Sequence, residues 1–240
     1  MQKLSRLTLI FSLLFAVFFL LLIFFRIPFQ FFPLMSYQDV FDLLTPLVLI
    51  PIYWLMYKTS SATETNRSGE IAFMILAAIW AMGHGIHLAA NSIDNLSEGL
   101  AKSQGLDITT TDIYTLTYFL DENLSHYLWH TGILGMVALL SFREWKGSAN
   151  QTTQWGVTIP AGMIYGFTYF CVFLEGQTAY LGFPFSILYS LLILLLGRKI
   201  LPQKPLLAFF LVSCLLATAL FIGWGIYWGG FPEFSDVGLI

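Results

Sequence analysis

The sequence predicts an all-α fold, a polytopic integral membrane protein built as a bundle of about seven transmembrane helices in a single domain over residues 1–240. Three observations lead there. Residues are 57% hydrophobic and only 10% charged, whereas about a quarter of the residues in a soluble domain are charged. Apolar runs fall at roughly 7–25, 43–57, 71–93, 113–141, 156–176, 182–197 and 206–229, each near the ~20 residues that span a ~30 Å hydrocarbon core. With seven spans, Lys3, Arg6, Lys58, Arg67, Arg143, Lys146, Arg198, Lys199 and Lys204 share one side, and only Arg26 and Lys102 fall on the other.

The first run follows MQKLSR and meets Arg26 without a small-residue cleavage pattern, so it reads as a retained helix. Pro46 and Pro51 interrupt the short second run, which leaves a kinked or re-entrant segment as the alternative to a crossing. Crossing is favoured, because dropping one span mixes the segregated charges. The third run leads into the longest polar connection, Asp94 to Asp112, read as a solvated loop. The third and fourth runs carry the most ionisable side chains of any span, and the sixth is short. Gly223, Gly225, Gly229 and Gly230 in and after the seventh offer small residues for close helix packing. Trp54, Tyr57, Trp145, Trp155, Trp224 and Trp228 stand near span ends, as interfacial anchors do.

The basic asymmetry predicts a cytoplasmic N-terminus and an extracytoplasmic C-terminus. No basic stripe offers a surface for nucleic acid. Cys171 and Cys214 lie inside spans and form no C-x-x-C pair. No internal repeat is evident, which weighs against a transporter built from two equal halves.

All four histidines fall in two close pairs within apolar segments, His84 with His87 and His126 with His130. Ionisable groups in hydrocarbon are costly and mark functional sites or buried pairs. At 100° per residue, His84 and His87 lie roughly 60° apart on the third span, with Asn91 on the same stripe. Glu122, His126 and His130 recur every four residues and share one face of the fourth span. Asp121 points about 140° from His126 on an α-helix and is read as a helix cap or a supporting group. The two spans run antiparallel, so His84, His87, Glu122 and His126 share the outer half of the membrane and His130 sits deeper. Glu175 near the end of the fifth span approaches from a third direction. Imidazoles with carboxylates and few thiolates suit a transition metal such as Zn, Fe, Mn or Cu. Haem is less attractive, because separations of three and four residues converge on one point. The bland alternative is a set of histidines that merely hydrogen-bond between helices.

At the level of pattern, seven helices with H-x3-H at His126 and His130 and further His and Asp residues resemble the intramembrane zinc hydrolases that include alkaline ceramidases and adiponectin-receptor-type proteins. That resemblance implies a zinc-activated water and a lipid amide substrate. In that family the paired histidines come from the last helix, whereas here the seventh span has none. The strings HGIH and YLWH are also similar to those of cytochrome oxidase subunit III, although three further spans follow here.

The expectation is therefore a metal-dependent membrane enzyme, a hydrolase or an oxidoreductase, acting on a lipid or membrane-dissolved substrate. His84, His87, His126, His130 and Glu122 are the expected metal ligands. Glu122 and Glu175 are the expected general bases. The alternative is a non-catalytic metal- or haem-binding subunit of a membrane complex.

Overall fold

The structure, a computed structural model, describes residues 3–21, 27–60, 67–147 and 151–239. Arg26 and the end of the first apolar run lie outside the described residues. The chain is an all-α polytopic membrane protein, with seven helical rods among the described residues. α1 (Lys3–Ala16) continues as a π-helical turn, Val17–Leu21. A short hairpin, β1 (Pro28–Phe29) with β2 (Phe32–Ser36), leads into α2 (Tyr37–Thr59) and α3 (Arg67–Gln104). The fourth rod comprises α4 (Asp112–Tyr118), a π-helical segment (Phe119–Ser125) and α5 (His126–Lys146). α6 (Trp155–Glu175), α7 (Ala179–Leu192) and α8 (Pro205–Trp228) complete the bundle.

Among the described residues, six helices are long and apolar enough to cross a membrane. The fourth rod is not one of them. Asp121, Glu122, His126 and His130 at one end and Arg143, Glu144 and Lys146 at the other lower its hydropathy, yet Ile133, Met136 and Leu140 bury it in the core.

The favoured crossing of the second run holds, and the solvated loop expected after the third is corrected. α2 is a continuous helix of 23 residues through both prolines, about 34 Å long at ~1.5 Å per residue and sufficient to cross. Its start is fixed by a capping box, in which Asp39 N–H donates to Ser36 Oγ at 3.2 Å and Ser36 N–H to Asp39 Oδ2 at 2.6 Å. α3 runs on through Asp94 and Glu98 to Gln104, so most of the expected loop is helix. At about 57 Å, α3 is longer than the hydrocarbon core.

The close helix–helix packing does not use the glycines of the last span, since Gly223 faces open space, Gly225 meets the Phe231 ring of the C-terminal segment, and Gly229, at φ 69°, is the left-handed cap that ends α8. It uses Gly83 and Gly132 where α3 meets the fourth rod. A Cβ on Gly83 would stand 2.5 Å from Trp129 N and 2.7 Å from Ser125 O, and one on Gly132 would stand 2.8 Å from Leu76 O. Small residues on both helices thus bring the two backbones together, and with them the two histidine pairs.

At the far end of the bundle, Glu144 accepts from Leu206 N at 3.1 Å and Leu207 N at 2.8 Å, satisfying free amides at the start of α8. Tyr57, expected as an interfacial anchor, is fully buried there. The Arg143 guanidinium covers its ring at 4.2 Å and donates to its backbone carbonyl at 3.0 Å.

Candidate functional site

At the opposite end, the start of α2, the stretch of α3 from His84 to Leu96, the π segment of the fourth rod, the end of α6, the hairpin and the C-terminal residues surround one cavity of about 750 Å³. His84, His87, Glu122, His126 and Glu175 all line it. The structure therefore brings together five of the six residues singled out by spacing. His130 is the exception.

His84 is buried, and its Nε2 lies 2.8 Å from the Asp42 carbonyl oxygen. A carbonyl only accepts, so Nε2 carries the hydrogen, and Nδ1 of the neutral ring is a lone pair with no hydrogen-bond partner. His126 follows the same logic with the nitrogens exchanged. Its Nδ1 lies 3.1 Å from the Glu122 carbonyl oxygen, which leaves Nε2 as the electron-pair donor. His87 Nδ1 lies 2.7 Å from Asp121 Oδ1, at ion-pair distance, although the two atoms are not aligned as a hydrogen bond. The His87 and His126 rings stand 4.8 Å apart, centroid to centroid.

His130 sits behind this group. Its Nδ1 meets Thr178 Oγ1 at 2.5 Å, its ring stacks on Phe173 at 4.3 Å, and it is fully buried. Four-residue spacing gives it the direction of His126, but α6 and the turn after it close over it.

Asp42 and Asp121 were not among the expected ligands or bases. Asp42 lines the cavity, brought to His84 by the start of α2. Asp121 is buried against His87 because Phe119–Ser125 is π-helical. Its i→i+5 pattern changes the angular phase that an α-helix would give.

Glu122 receives a hydrogen bond from Gln177 Nε2 at 3.3 Å. Glu175 Oε2 accepts from Phe234 N at 3.0 Å and so ties the C-terminal segment to the end of α6. Glu233, in that segment, also lines the cavity. Partial burial and the neighbouring charges of Glu175 and Asp236 push its carboxyl up to about 7.

Among the described residues, no three His, Cys, Asp or Glu side chains are grouped so as to hold a metal ion. What the site holds is a row of imidazoles, each with one nitrogen beside an oxygen. No protein-family model, curated protein or solved structure matches this chain.

Proposed function

We propose that the chain is an integral membrane metal-dependent enzyme whose cavity takes a lipid or other membrane-dissolved substrate for hydrolysis or oxidation. One observation carries this reading. Three imidazoles lining a single cavity each have one nitrogen held by, or in contact with, a carbonyl or carboxylate, the arrangement that orients metal-ligating histidines and raises their basicity.

His87 and His126 are the central pair, with His84 and Glu122 beside them. Glu122 Oε2 is 3.7 Å from His126 Nδ1. Loading requires side-chain rotation, because no three of these donors meet at one point as they stand. Zn, Fe and Cu all suit such a nitrogen and oxygen set, and the metal would supply Lewis acidity. Haem fits poorly, since ring centroids 4.8 Å apart leave no room for a porphyrin plane between His87 and His126. Glu122 and Glu175, both on the cavity wall, are placed to move protons. Among the described residues, the Lys and Arg side chains other than Lys102 belong to the end of the bundle away from the cavity. By the positive-inside rule this puts the N-terminus in the cytoplasm and the site in the outer half of the membrane; a reporter fused after Ile240 is then active only outside the cytoplasm.

Elemental analysis of detergent-purified protein beside His87→Ala and His126→Ala tests the reading. Stoichiometric transition metal in the parent, lost in both variants, supports it. Equal trace metal in all three sinks it.

A further inference from the structure

The hairpin between α1 and α2 has two faces of different character. On one, Phe31 is 79% and Phe32 is 52% exposed. On the other, Pro28, Met35 and Ser36 line the cavity. Leu34 belongs to both, being 60% exposed while also lining the cavity. Leu96 on α3 repeats that double role at 47% exposure. An apolar rim therefore joins the outside of the bundle to the polar wall at Asn91 and His87.

Placement fixes what lies outside. The hairpin connects the ends of two membrane-spanning helices, so it stands at the level of the lipid headgroups, where exposed Phe and Leu side chains insert into the boundary between headgroups and acyl chains. Its backbone suits partial immersion, because the strands pair with each other and Tyr37 N donates to Ile27 O at 2.9 Å.

We propose that the β1–β2 hairpin is embedded in the membrane interface and forms, with α3, the side door through which an amphiphile passes from the adjacent leaflet into the cavity. This rests on the reading of the substrate as membrane-dissolved. Asp39, Asp42, Glu122, Glu175 and Glu233 line the cavity, and among the described residues no Lys or Arg does. The door therefore favours headgroups without net negative charge.

Two measurements in vesicles test this on a Cys171→Ala/Cys214→Ala background. A nitroxide at Phe31→Cys should collide more with oxygen than with a water-soluble nickel complex, whereas one at Asp107→Cys, in the solvated turn, should show the reverse. A fluorophore at Asn91→Cys should be quenched by brominated phosphatidylcholine, less by brominated phosphatidylglycerol, and less by either when Leu34→Trp narrows the rim. A Phe31 label that behaves like the Asp107 label, or an Asn91 fluorophore that brominated lipid leaves bright, overturns the door. Metal content separates the two readings: metal present without quenching removes the door alone, and quenching without metal removes the enzyme reading alone.

Discussion

His87 Nδ1 stands 2.7 Å from Asp121 Oδ1 where α3 crosses the π-helical segment. The carboxylate is buried and the ring lines the cavity, so the contact fixes which ring edge the cavity sees. Asp121→Asn removes the charge and keeps the shape. On the metal-binding reading proposed above, its expected effect is a loss of roughly 10–100-fold in metal affinity, the usual cost of removing a group that orients a ligating histidine. Metal titration of the purified variant, with circular dichroism to verify the helices, checks this; unchanged affinity excludes Asp121 from that role.

The bundle was legible from run lengths and charge because each crossing must fill the same thickness of hydrocarbon. His84, His87 and His126 were legible because helical spacing fixes direction. That periodicity assumes an α-helix, and Asp121 escaped it because the segment around it is π-helical. Asp42 escaped because it reaches His84 from 42 residues away, through a helix packing that no local pattern encodes. His130 shows the opposite failure. Its direction was read correctly, but spacing says nothing of Phe173 and Thr178 covering it.

Covering keeps His130 off the cavity wall. Thr178→Val leaves both of its ring nitrogens without a partner in a buried setting, since Nε2 has none already. A cost of about 1–3 kcal/mol follows for an unsatisfied buried polar group. The variant should melt earlier in detergent while metal content and cavity labelling stay at parental levels. A loss of metal without loss of stability would return His130 to the ligand set.

Gly83 controls the spacing that brings the two histidine pairs together. Its missing Cβ would meet two backbone atoms, Trp129 N at 2.5 Å and Ser125 O at 2.7 Å, and neither can swing aside as a side chain tip would. Gly83→Ala should therefore destabilise by about 1–3 kcal/mol, as overpacking does, and weaken the proposed metal binding with it. Gly85, two residues on, has nothing within 4 Å. Gly85→Ala should be neutral or stabilising by up to about 1 kcal/mol. Thermal melts of the pair separate packing from helix propensity.

Glu233 gives the C-terminal segment a pH dependence of definite sign. Its carboxyl titrates near 7 in the folded chain, against 4.5 as the ordinary value, through burial first and then the charges of Glu175 and Asp236; hydrogen bonds from Gln177 and Ser235 oppose the rise. Between pH 4.5 and about 7 the folded state holds a proton that the unfolded state has released, so this group's contribution to stability falls as pH rises and then levels off. Glu233→Gln removes that slope. Melting temperatures of parent and variant should differ most above pH 7 and converge toward pH 4.5, with the variant the more stable. Parallel curves across the range would place the Glu233 carboxylate in water, free of Glu175.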